Sequence, residues 1–278
     1  EVTISLCLLT AILLSSCGLV QQNPVPPPPA GDIPTATPAP MAETVIDVSL
    51  PAPIPDGTTL TLAVLDEVTG LPVNPVYYPM QAVDATHYSV RLALPLKGVA
   101  KYRYVLQGTY PIQEDNAFDQ PVRYRMYVVP GPSQVSDVIS SWADQPFAGS
   151  TGRVQGQVVD PDNGKPLDDI LVTAGGVSTL SDSLGNFILE GLPAGTHNLV
   201  AYSLDGSYQP FQQGATVAAG STTPAAVAMK AARTVKLTFV VTLPSDTVVG
   251  APIRIAGNLH QLGNTFGDLD GGLSTIAS

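Results

Sequence analysis

The chain has 278 residues, 12 basic and 23 acidic, for a formal charge of −11, and only 13% of it is charged, against roughly 25% in an average globular protein. That balance argues against nucleic acid or an anionic lipid surface as partner, because both are held by basic patches that release counterions. An apolar share of 44% excludes a chain disordered throughout, and 25 Gly with 27 Pro favour short strands and tight turns over long helices.

The first 17 residues read as a leader. The apolar run 4–14 is shorter than the about 20 residues a membrane span needs and fits the apolar region of a signal peptide. No Lys or Arg precedes Arg91 and the chain opens on Glu1, so the expectation is that the sequence starts inside a longer reading frame. The run closes on Leu14-Ser15-Ser16-Cys17-Gly18, which resembles the lipobox of bacterial lipoproteins. That resemblance implies cleavage before Cys17, a lipid on its thiol, a membrane partner through that anchor and an extracytoplasmic, surface-exposed location. Cys7 would leave with the leader.

Residues 18–43 hold Pro24, the run Pro26-Pro27-Pro28-Pro29, Pro34, Pro38 and Pro40. Such a stretch favours extended polyproline II, and at about 3.1 Å per residue some 20 residues reach ~60 Å, a stand-off linker. From residue 44 the pattern changes to period two. Val45, Asp47 and Ser49 alternate with Ile46, Val48 and Leu50, and further alternating runs follow at 60–65, 88–94, 102–106 and 122–129. In the last of these, Arg123 and Arg125 fall on the face opposite Tyr124 and Met126. Strands at this spacing, with Asp-Gly and Pro turns between them, predict a β-sandwich over 44–148.

A second module is expected over 149–232, with strands near 153–159, 170–174, 186–189 and 197–202. Here Gly156-x-Val158, Gly164-x-Pro166-Leu167, Val172-x-Ala174, Thr179-x-x-Asp182-x-x-Gly185-x-Phe187 and Gly191-Leu-Pro-x-Gly195 together resemble the carboxypeptidase regulatory-like domain. The resemblance implies a transthyretin-like β-sandwich acting as a non-catalytic spacer or interaction module. Asp182 and Gly185 would build a hairpin turn and Phe187 would fill the core.

The segment 233–278 opens with apolar strands at 235–243 and 253–258, followed by Gln261-Leu262-Gly263-Asn264. It looks like the start of the starch-binding module of amylases, an immunoglobulin-like sandwich of which half would be present. Lys101-Tyr102-Arg103-Tyr104, Glu114 and 137–142 extend the same resemblance to the first module. The fold class expected is therefore all-β, with tandem immunoglobulin-like and transthyretin-like sandwiches after a signal helix and a Pro-rich linker.

The starch-binding resemblance implies polysaccharide binding by aromatic rings beside a cation. Carried over by position, the cation falls on Arg103, a ring on Tyr77 or Tyr78, and, in the last segment, the ring position falls on Thr265, with Phe266 next to it as the candidate ring. Trp142 is expected in the core. His87, His197 and His260 fall one to each module, without metal-ligand spacing. No catalytic motif appears, so neither enzyme activity nor a cofactor is expected. Two other functions remain beside glycan binding: a structural or adhesive stalk, and the non-catalytic front of a larger enzyme.

Overall fold

A computed structural model describes residues 39–67, 70–236, 238–248, 250 and 252–253. The signal segment, Cys17, most of the linker and Phe266 lie outside the described residues. Within them the chain is all-β, in tandem sandwiches.

The first sandwich is built from β1 (Met41–Ser49), β2 (Thr59–Val64), β3 (Val76–Pro79), β4 (Gln81–Ala82), β5 (His87–Pro95), β6 (Val99–Gln107), β7 (Ile112–Asp115), β8 (Arg125–Val128), β9 (Ser133–Val138) and β10 (Ser141–Trp142). One sheet runs β4-β5-β1-β9; the other runs β10-β7-β6-β2-β3, with β8 also paired to β6. Their inner faces bury Ile46, Val48, Leu60, Leu62, Tyr102, Tyr104, Tyr127 and Ile139. Trp142 is 4% exposed within this core, as expected from its place in the closing strand. The first strand begins at Met41, three residues inside the stretch expected to be linker. Ala42 is already buried, and Met41 to Pro95 opens the β1–β5 register, so pairing rather than composition sets that boundary.

The second sandwich comprises β11 (Thr151–Val159), β12 (Ile170–Ala174), β13 (Val177–Leu180), β14 (Asn186–Pro193), β15 (Gly195–Ser203), β16 (Phe211–Val217) and β17 (Thr222–Ala228). Its sheets are β14-β11-β17 and β13-β12-β15-β16. The turn expected at Asp182 forms. Its carboxylate accepts the N–H groups of Leu184 and Asn186 at 2.9 and 2.8 Å, and Gly185 takes φ 74°. Those bonds hold the Asp182 pKa below the ordinary carboxylate value. Phe187 lies in the core beside Val154, Val158 and Leu199.

The strand expected at 235–243 is not formed among the described residues there. Val235 is 76% and Val240 90% exposed. A strand exists by pairing, and no described segment lies beside this one to supply a ladder. The strand expected at 253–258 falls almost wholly outside the described residues.

Candidate functional site

The residues read as a glycan platform separate across one sheet. β2 pairs β3 with Ala63 opposite Tyr77 and Leu62 opposite Tyr78, and it pairs β6 with Ala63 opposite Arg103 and Leu62 opposite Tyr104. Successive side chains in a strand point to opposite faces. Tyr77, Ala63 and Arg103 therefore share the outer face, whereas Tyr78 points inward and packs on the core of the first sandwich. The structure brings Tyr77 and Arg103 into one row and removes Tyr78 from it. Tyr77 is 45% exposed. Arg103 is half-buried, its Nε has no hydrogen-bond partner, and burial pulls its pKa below the ordinary guanidinium value.

That outer face is largely occupied by the second sandwich. Ala63, Leu65, Val105, Tyr124 and Met126 of the first module form one buried cluster with Leu171 and Val200 of the second, flanked by Tyr202 and Leu204. Lys101, fully buried on the same face, holds its ammonium 4.8 Å from the centre of the Tyr124 ring. The alternation read at 122–129 holds from Tyr124 onward, but the two arginines part: β8 starts at Arg125, and Arg123 before it is exposed. Met126 turns toward the other module while Arg125 turns into the sandwich.

Inside, Arg125 bridges two carboxylates, all three groups at most 3% exposed. Its Nη2 donates to Glu114 Oε2 at 2.8 Å and to the Val138 carbonyl at 2.9 Å, and its Nη1 donates to Asp137 Oδ1 at 3.2 Å. The Tyr102 and Tyr104 hydroxyls both donate to Asp137 Oδ2 at 2.8 Å, and the Tyr104 N–H donates to Glu114 Oε1 at 2.9 Å. Burial, followed by the Asp137 charge, pushes both phenols well above their ordinary pKa. Every strong acceptor here is engaged, so the cluster acts as a structural clamp.

The contact between modules is also specific in its hydrogen bonds. β8 pairs β6 on one side; on the other, the Gln212 side chain takes the Val128 N–H at 3.0 Å and donates to the Val128 carbonyl at 3.1 Å. Asn198 adds a bond from its Nδ2 to the Met126 carbonyl at 3.2 Å. An amide side chain thus completes the open edge of β8 as a neighbouring strand would. Close approach is set by glycine. A Cβ at Gly176, whose φ is 81°, would lie 2.7 Å from Val122 Cγ2, and one at Gly191 would lie 2.5 Å from the Phe118 ring. Nearby, the buried His197 donates from Nε2 to the Pro193 carbonyl at 2.8 Å, and burial lowers its pKa. Sequence reasoning placed Gly191 in the regulatory-like motif and Glu114 in the starch-binding resemblance; it had no signal that Gly191 meets Phe118 of the other module or that Glu114 pairs with Arg125.

With this geometry established, residues 153–230 match the family model described as carboxypeptidase regulatory-like domain. The second sandwich carries that domain. No curated protein matches the chain. Among solved structures, the chain is similar to a glycoside hydrolase family 15 glucoamylase from Hypocrea jecorina, with 15% identity, a TM-score of 0.29, and coverage of 37% of this chain and 18% of that one. It is also similar to the minor pilin of Streptococcus agalactiae, with 15% identity, a TM-score of 0.28, and coverage of 72% and 100%. A shaft pilin from Lactobacillus rhamnosus GG gives 10% identity, a TM-score of 0.25, and coverage of 70% and 100%.

Proposed function

We propose that this chain is a non-catalytic, surface-displayed spacer. Its two sandwiches would form one stiff body, held to a bacterial envelope by lipid on Cys17 and set off from it by the Pro-rich segment. The observation that supports the spacer is the junction. An apolar cluster drawn from both modules and a side-chain amide closing β8 leave little freedom for hinge motion, whereas modules joined by a linker alone move independently. Support for the anchor is the sequence around Cys17. Glycan binding is the weaker reading, because Tyr78 faces the core and the outer face retains one exposed ring, Tyr77, beside Arg103.

The stiff body is tested by pulsed electron-spin distance measurement on the full chain with Cys7 and Cys17 replaced by Ser. Labels at Val83 and Leu184, both well exposed and one in each sandwich, should give a distance distribution as narrow as labels at Val83 and Tyr110 within the first. A broad distribution overturns the spacer. The anchor is tested separately: radiolabelled palmitate should enter the native chain in a bacterial host and be absent from Cys17→Ser.

A further inference from the structure

A cleft of about 390 Å³ opens between the modules, walled by β13 and by β14 and roofed by the first module's loop around Asn116 and Phe118. β13 is an edge strand that pairs β12 alone. The Gly175-Gly176 turn, with φ of 57° and 81°, closes on the pair Ala174 and Val177. In a two-residue hairpin that closing pair is hydrogen-bonded, and the bonded pairs recur at every second residue. The Ser181 N–H reaching the Ile170 carbonyl at 2.9 Å keeps the same phase. Ser178 therefore turns its backbone N–H and C=O away from β12, and Ser178 lines the cleft.

Around this bare edge stand apolar groups. Phe118 is 55% and Ile188 45% exposed. Phe118 is fixed by its own N–H donating to Asn116 Oδ1 at 2.9 Å, with its ring against Gly191. The charged residues lining the cleft are Arg123 and Glu190, and Glu190 is already paired with Arg153 at 3.5 Å, so no cluster of one sign is there to select a charged ligand.

We propose that this cleft takes an uncharged, extended peptide segment, which adds to β13 as a further strand through the backbone of Ser178. Its alternate apolar side chains rest on Phe118 and Ile188. An edge strand of four residues spans about 13 Å, enough to fix a short guest by main-chain bonds, while pockets on alternate sides choose its side chains. A sugar would stack on Phe118, the exposed ring of a lining whose other ring, Tyr124, is buried, and leave the backbone edge unmet. The proposal does not depend on the spacer reading.

The test uses the full chain as bait for a phage-displayed random nonapeptide library, with selected peptides measured by fluorescence anisotropy. Ser178→Pro removes the donor facing the cleft without touching the ladder to β12; Ser178→Ala changes the side chain alone; Ile188→Glu charges the wall from an exposed position. The expected result is enrichment of peptides with apolar residues at alternate positions. They should bind the native chain and Ser178→Ala alike, and bind both Ser178→Pro and Ile188→Glu at least tenfold more weakly. Binding by Ser178→Pro or Ile188→Glu as tight as by the native chain, or no enrichment over bare support, overturns the proposal.

Discussion

Arg125 shows how one residue can carry a disproportionate share of a module's stability. Its guanidinium lies between Glu114 and Asp137 in a site from which water is excluded, and the Tyr104 ring lies 5.3 Å from its carbon. Removing it strands two carboxylates in the core. Breaking one side of a buried ion pair costs about 3–5 kcal/mol, whereas truncating an exposed side chain changes stability by about 0.5 kcal/mol or less. Arg125→Ala should therefore lower the free energy of unfolding in guanidinium chloride by about 3–5 kcal/mol, and Arg123→Ala, two residues away and exposed, by far less. Equal effects of the two would remove the clamp from this account. Period two in the sequence placed both arginines on one face and left open which face was inside; in the structure the strand starts only at Arg125, so Arg123 is exposed while Arg125 is buried.

At the scale of elements, β8 is a short strand with a free side, the kind of edge that proteins cover or charge. The cover here comes from the other module, through Gln212 on β16. Gln212→Ala should leave the half-buried Val128 N–H and C=O without these partners, at a cost of roughly 1–3 kcal/mol. The residue-level reading is amide exchange: Val128 should lose protection far more than its neighbour Tyr127, whose pairing with Ala100 lies on the other side of the strand. Unchanged protection at Val128 would mean that the amide contact is incidental. The same logic explains the fate of the glycan platform. Tyr77 and Tyr78 are adjacent in sequence and equivalent in composition; a single step of register separates them, one to the outer face and one to the core. That step is set by pairing with β2, which a linear pattern does not reveal.

For the whole molecule, the legible part was the part written in local pattern. The turn at Asp182 and Gly185, the core position of Phe187 and the succession of two sandwiches all follow from spacing and turn chemistry within a few residues. The junction was illegible for the opposite reason. Ala63, Tyr124, Leu171 and Val200 come from four distant segments, and an apolar residue in a strand reads the same whether it faces its own core or another module. Gly191 stood in the domain motif and Gly176 carried no signal; the task of each, admitting Phe118 and Val122, needs both modules in place to be seen.

The strand order has a mechanical consequence. In the second sandwich the entering strand β11 and the leaving strand β17 are parallel neighbours, paired over seven residues from Arg153–Thr222 to Val159–Ala228. In the first, β1 is paired in parallel with β9 from Thr44–Ser133 to Ser49–Val138. Tension applied along the chain at the ends of the second sandwich pulls β11 and β17 in opposite directions along their shared axis. The hydrogen bonds of that ladder are then loaded side by side, in shear, and share the force; a hairpin pulled from its open end would release them one at a time. The spacer proposed above would meet this kind of load whenever its two ends are drawn apart.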